Sequence, residues 1–194
     1  AGSAVLNEHE RSIKSIARNA AKSKKYGQLL FRMVKYYQPA TILELGTSLG
    51  ITTTYLSLAN PASKIVTMEG AKEIAEIARL NFRQQGIANI ELVEGNFDNT
   101  LPGVLKGTNT VDFAFIDGNH RRIPTENYFE MLLPYLHNDS ILVLDDIHWS
   151  KGMEQAWETI KKSPDVRCTI DLFFIGIVVF RKEFREKQHF TIRF

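Results

Sequence analysis

The sequence predicts a doubly wound α/β fold, a mostly parallel seven-stranded sheet covered by helices on both faces. Three observations predict it. From residue 41 onward, short apolar runs alternate with segments of helical period. Those runs are almost continuously apolar, as strands buried on both faces have to be. The last two runs are separated by only a few residues around 173–176, too few for a helical crossover, so they pair antiparallel as a hairpin.

The elements follow in chain order. Apolar residues at Leu6, Ile13, Ile16, Ala17 and Ala20, then at Tyr26, Leu29, Leu30, Met33, Val34 and Tyr37, recur with helical period and predict two N-terminal helices ending near Pro39. The run over 41–45 is the first strand, and helical period resumes over about 50–59. Strand 64–68 with helix 72–85 repeats the unit, as do strand 90–93 with a short helix around 101–105, strand 111–116 with helix 124–136, and strand 140–144 with helix 152–162. Runs over 166–172 and 176–180 make the terminal hairpin. The segment Gln188-His-Phe-Thr-Ile-Arg-Phe194 fits either a further edge strand or an oligomer contact. One domain over 1–194 is expected, with helices in 1–38, a core in 39–182 and an extension in 183–194.

A chain of 194 residues, 44% hydrophobic and 24% charged, suits one such core. Its longest apolar run, 173–180, is far shorter than the roughly 20 residues of a spanning helix, and the first 25 residues are too charged for a signal peptide. A cytoplasmic protein outside the membrane is therefore expected. The single cysteine, Cys168, has no partner for an internal disulfide and reads as a small core residue. Net charge is +2, too near balance for a nucleic-acid footprint. Arg11, Lys14, Arg18, Lys22, Lys24 and Lys25 gather positive charge near the N-terminus, either as the solvated face of a helix or as an attraction for an anionic partner.

The chemistry lies at the strand ends. In Thr41-Ile-Leu-Glu-Leu-Gly-Thr-Ser-Leu-Gly50 an apolar strand stops at Glu44, and glycines at Gly46 and Gly50 let the backbone approach a ligand closely. Two glycines at this spacing do not make the G-x-G-x-x-G turn that holds a dinucleotide pyrophosphate. The second strand ends at Glu69-Gly70, where a carboxylate can accept both hydroxyls of a ribose. The third ends in Glu94-Gly-Asn-Phe97, the fourth in Asp117-Gly-Asn-His120, and the fifth in Asp145-Asp-Ile-His-Trp149.

From about residue 25 to about residue 182 this pattern resembles the class I S-adenosylmethionine-dependent methyltransferases, whose Rossmann-like fold carries an antiparallel C-terminal hairpin. The resemblance implies S-adenosyl-L-methionine as cofactor, with Glu44 near its cationic parts, Gly46, Thr47, Ser48 and Gly50 as the approach loop, and Glu69 with Gly70 at the ribose. It places Gly95, Asn96 and Phe97 around the adenine, with Asn96 bonding the base and Phe97 covering its face. Thr52 takes either the methionine carboxylate or a plain helix-start role.

Within that family the chain is similar to the metal-dependent catechol-type O-methyltransferases, which carry an aspartate after the fourth strand and an Asp-Asn pair after the fifth. Asp117 and Asp145 match the aspartates, and Asp117 also stands beside the cofactor. Asp146 replaces the asparagine, as in a branch of small bacterial enzymes, and leaves the metal's identity open. Three converging carboxylates call for a hard divalent ion, Mg²⁺ with Mn²⁺ or Ca²⁺ as substitutes. His120 occupies the place of the catechol-type enzymes' lysine base, and a histidine can take a proton at neutral pH. His148 and Trp149 are expected to line the acceptor pocket, Trp149 by stacking on a planar ring.

The expected reaction is in-line attack of a deprotonated oxygen of a small-molecule acceptor on the sulfonium methyl, with no covalent enzyme intermediate. Alternatives are a metal-independent small-molecule methyltransferase and a cofactor-binding protein without turnover. Asp117-Gly-Asn-His lacks the Asn/Asp-Pro-Pro-aromatic motif of enzymes that methylate nucleic-acid amines, so no nucleic-acid partner is expected, and a homodimer is possible.

Overall fold

A computed structural model describes residues 24–194, which fall into two compact units, 24–100 and 101–194. The first N-terminal helix expected from Leu6 to Ala20, and the basic residues Arg11, Lys14, Arg18 and Lys22, lie outside the described residues. Among the described residues no helix is long and apolar enough to cross a membrane.

The first unit opens with α1 (Lys24–Tyr37), whose inward residues Tyr26, Leu30 and Val34 recur at a spacing of four and so form one buried stripe. Then β1 (Thr41–Leu45), α2 (Ile51–Ala59), β2 (Lys64–Glu69), α3 (Lys72–Gln84) and β3 (Ile90–Glu94) alternate as predicted. The strands are parallel in the order β3-β2-β1, with Leu45 beside Met68 and Glu69 beside Glu94. Ile42, Leu45, Ile65 and Met68 are fully buried, each contributing about 1.5–3 kcal/mol of transfer energy. Helix α1 packs on α2 through Gly27, where a Cβ would come within 2.8 Å of the Tyr55 ring.

Helix α4 (Phe97–Lys106) starts four residues earlier than the apolar pattern indicates. Asn96 is the cause: its side-chain oxygen accepts the Asp98 N–H at 2.9 Å and its carbonyl accepts from Asn99 and Thr100, closing a first turn that carries no apolar periodicity.

The second unit holds β4 (Phe113–Ile116), α5 (Arg122–Leu132), a 3-10 turn (Leu133–Tyr135), β5 (Ile141–Asp145), α6 (Lys151–Lys162), β6 (Cys168–Asp171), β7 (Ile175–Val179) and β8 (Gln188–Thr191). The helix expected over 124–136 instead ends at Leu132, because Pro134 has no N–H to continue the ladder. Strand order is β4-β5-β7-β6-β8. β4 and β5 run parallel, while β7 is antiparallel to both β5 and β6, which is the predicted hairpin. Among the described residues eight strands stand where seven were expected. The eighth, β8, pairs parallel with β6, so residues 188–191 form the edge strand that was one of the two expectations for the 188–194 segment. Gly176 on β7 lets Trp157 of α6 lie against the sheet, since a Cβ there would be 2.7 Å from the indole. Cys168 is buried, as expected.

Candidate active site

In the first unit the β1 edge is organised around Glu44, which is completely buried. Its Oε2 accepts the hydroxyl of Thr53 at 2.5 Å and that of Thr67 at 2.6 Å. Thr67 Oγ1 lies 2.6 Å from Thr47 Oγ1; because the Thr67 proton is spent on Glu44, the Thr47 hydroxyl is the donor. Burial pushes the Glu44 carboxyl up to about 7, against the pull of the two threonine hydroxyls and with help from the charge of Glu69. Sequence placed Glu44 toward a ligand's cationic parts, whereas the structure has it clamping α2 and β2 to the strand from within.

The loop beyond β1 turns on left-handed residues at Gly46 (φ 112°), Ser48 (φ 49°) and Gly50 (φ 78°). A Cβ on Gly50 would collide with the Phe82 ring of α3, and Asn81 of the same helix donates to the Leu49 carbonyl at 2.9 Å. Gly46 and Thr47 donate their N–H groups to the Met68 carbonyl, tying the loop to the end of β2. There Glu69, 6% exposed, accepts the Ser48 N–H on Oε2 at 2.8 Å and the Ala71 N–H on Oε1 at 2.9 Å. Each oxygen keeps a second lone pair, enough for two hydroxyls of a diol. Helix α2 begins at Gly50 with no side-chain cap, and Thr52 lies buried in its first turn, so backbone N–H groups there suit a carboxylate. Gly70 is exposed beside Glu69, and Gly95 is left-handed (φ 137°), a Cβ on it meeting Thr100. The oxygen of Asn96 is turned into α4, which keeps only its amide NH₂ for a base, and Phe97 is buried.

In the second unit the parallel pairing of β4 with β5 sets Ile116 beside Leu144, so the next residues, Asp117 and Asp145, share one sheet edge. One ligand atom from each of Asp117, His120 and Asp145 lies within 4.8 Å of the others. His120 Nε2 is 3.7 Å from Asp117 Oδ1 and 3.9 Å from Asp146 Oδ2. Asp145 is 1% exposed, and Asp146 follows in a left-handed conformation (φ 52°). A second left-handed residue, Asn119 (φ 57°), carries His120. Its side chain donates to the Tyr128 hydroxyl at 2.9 Å and accepts from Arg121 Nε at 2.7 Å. Asn tolerates that conformation better than most residues.

His148 is drawn to Asp171 (Nε2 to Oδ2, 2.8 Å) and to Glu154 (Nδ1 to Oε1, 3.4 Å). Partial burial works against its charge, but those carboxylates outweigh it and raise its pKa above the ordinary histidine value. Its ring stacks on Phe173 at 5.5 Å, Phe174 meets Phe173 edge-on, and Trp149 is 57% exposed. The hairpin was expected from the sequence, but its aromatics Phe173 and Phe174 were given no part beside His148, although two adjacent aromatics between strands are a visible signal. Thr67, a hydroxyl inside an apolar strand, was likewise the available sign of the Glu44 network.

Residues 43–147 match the model of a family described as a methyltransferase domain. A catechol O-methyltransferase of Mycobacterium tuberculosis is 30% identical over 129 residues, 66% of this chain and 57% of that protein. One of Niastella koreensis is 27% identical over 62% of this chain and 55% of its own length, so the chain spans little more than half of these relatives. Among solved structures, the O-methyltransferase TomG of Streptomyces achromogenes in complex with SAM superposes with a TM-score of 0.74 at 23% identity, over 92% of this chain and 93% of that one. An O-methyltransferase of Bacillus cereus in complex with SAH gives 0.73 at 22%, over 91% and 94%.

Proposed function

Because the chain belongs to the methyltransferase-domain family, we propose that it transfers a methyl group from S-adenosyl-L-methionine to an oxygen of a small molecule, assisted by a divalent cation. The observation that carries this reading is the gathering of Asp117, Asp145 and His120 at the ends of β4 and β5, since oxygen and imidazole donors converging within 4.8 Å suit a divalent ion. The similarity to catechol O-methyltransferases supports the oxygen acceptor.

The cofactor reading rests on the first unit. Glu69 receives the ribose hydroxyls on the lone pairs its two backbone bonds leave over, and the Gly46–Gly50 turn brings backbone to the ligand without side chains between. The uncapped start of α2, with Thr52, receives the methionine carboxylate. Asn96 and Phe97 flank the adenine, the base bonding the Asn96 amide. Glu44 acts at one remove, holding Thr47 in place through Thr67.

In the second unit Asp117 and Asp145, with Asp146 alongside, hold the cation, whose contribution is to acidify the acceptor hydroxyl and fix its direction. His148 and Trp149 border the acceptor. In the reaction an oxygen–methyl bond forms as the sulfonium–methyl bond breaks, the sulfonium electrons return to sulfur as a neutral thioether, and the acceptor's proton leaves to a base. The Nε2 of His120 has one lone pair, for that proton or for the cation.

Incubation of the chain with S-adenosylmethionine, Mg²⁺ or Mn²⁺ and a panel of phenols and hydroxyacids tests the proposal, read by mass spectrometry as S-adenosylhomocysteine and an acceptor heavier by one methylene. Turnover stopped by chelator and restored by the ion is the expected result. Chelator-resistant turnover would point to metal-independent transfer, and cofactor binding without product across the panel to a protein that only binds.

A further inference from the structure

We propose that His120 is itself a ligand of the divalent cation, so that the site is a two-carboxylate, one-imidazole set and prefers a transition metal to Mg²⁺ or Ca²⁺. The inference rests on the metal-assisted reading above and gives the His120 lone pair, open there to the proton or the cation, to the cation.

The distances make the case. His120 Nε2 stands 3.7 Å from Asp117 Oδ1 and 3.9 Å from Asp146 Oδ2. Both exceed the 2.7–3.2 Å of a hydrogen bond, so the imidazole does not bond these carboxylates directly. Both lie inside the ~4.2 Å that two donors can span when each sits about 2.1 Å from one shared ion. Among Asp117, His120 and Asp145 the widest separation is bounded at 4.8 Å, about 0.6 Å beyond that span, a closure within the reach of side-chain torsions.

The backbone that carries the imidazole is also braced. Asn119, left-handed at φ 57°, is tied to the Tyr128 hydroxyl on α5, a residue 1% exposed, and to Arg121 Nε on the other side, and the Arg121 N–H closes back on the Asn119 carbonyl. The carboxylates come from the ends of two paired strands. Donors thus come from the loop after β4 and from the end of β5, and one of them is nitrogen.

Nitrogen decides the metal. Oxygen-only sets select hard ions, whereas an imidazole raises affinity along the series from Mn²⁺ through Fe²⁺ and Co²⁺. A nitrogen lone pair committed to the cation is not available for the acceptor's proton, so proton removal then depends on the ion's acidifying effect and on bulk base.

The test is electron spin-echo envelope modulation on the full chain loaded with one equivalent of Mn²⁺, compared with the same chain carrying ¹⁵N-histidine. Directly coordinated imidazole predicts ¹⁴N modulation that changes to the ¹⁵N pattern, disappears in His120→Gln and persists in His148→Gln. Competition titration should show Mn²⁺ displacing Mg²⁺, and His120→Gln weakening Mn²⁺ binding by at least ~10-fold. Mn²⁺ bound with no nitrogen coupling in the wild-type chain would overturn the inference and leave the metal-assisted reading standing. No Mn²⁺ binding at all would overturn both.

Discussion

Replacing Glu44 by Gln should change the pH dependence of stability more than stability itself. The wild-type carboxyl is fully buried and pushed up to about 7 from an ordinary value of 4.5. Its folded pKa is raised, so the native state holds a proton that the unfolded chain releases. The group's stabilising contribution is therefore complete below about pH 4.5 and is lost as pH rises through about 7. A shift of that size corresponds to about 3 kcal/mol between the two limits, of which about 2 kcal/mol falls between pH 5 and pH 8. Gln keeps the shape and an oxygen for Thr53 and Thr67 but cannot ionise. It also sets an amide NH₂ where the buried Oε1 has no hydrogen-bond partner, a cost that does not vary with pH. Urea unfolding of both proteins at several pH values isolates the effect, because titrating groups that do not interact with Glu44 cancel in the difference. The stability of Glu44→Gln relative to wild type should improve by about 2 kcal/mol from pH 5 to pH 8. A difference that stays flat across that range would refute the assignment of Glu44 as the buried titrating group.

Three further outcomes follow from the same geometry. Gly176→Ala should destabilise by about 1–3 kcal/mol in chemical denaturation, because the new methyl meets the Trp157 indole at 2.7 Å, and Gly176→Ala with Trp157→Phe should recover part of the loss. Histidine-resolved NMR titration should show His148 protonated to higher pH than an ordinary histidine; with its folded pKa raised, the stability it contributes is present at low pH and lost as pH rises through that value, and Asp171→Asn should bring the titration back down. Asp117→Asn should weaken Mn²⁺ binding by at least ~10-fold in a calorimetric titration while leaving the unfolding transition nearly in place, since Asp117 lies beyond the end of β4 and outside the hydrophobic core.

Those residues also mark how far the sequence could be read. The strands were legible because buried parallel strands are nearly continuous apolar runs, and the ends of those runs located Glu69, Asp117 and Asp145 without any knowledge of side-chain direction. The structure joins Glu69 to the glycine turn through Ser48 and sets Asp117 near Asp145, both as the sequence implied. Side-chain direction was the blind spot. Glu44 and Asp145 are both acids on an apolar strand, yet one turns to Thr53 and Thr67 and the other toward His120, a choice fixed by pleat and register. The bracing of the glycine loop by Asn81 depends on a helix distant in sequence, and that of His120 on the left-handed turn at Asn119, which no apolar pattern signals. Strand β8 was left undecided because the alternation of Phe190, Ile192 and Phe194 fits an edge strand and an oligomer contact alike, and all four residues of the strand are exposed.

The most direct test of the central claim is an isothermal titration of S-adenosylmethionine into the chain and into Glu69→Ala. Saturable one-to-one binding is predicted, weakened at least ~10-fold in the variant by loss of charge-assisted hydrogen bonds, with no competition from NADH. Absence of saturable binding, or equal affinity in the two proteins, would contradict the assignment of the Glu69 and Gly46–Gly50 edge as the methyl-donor site.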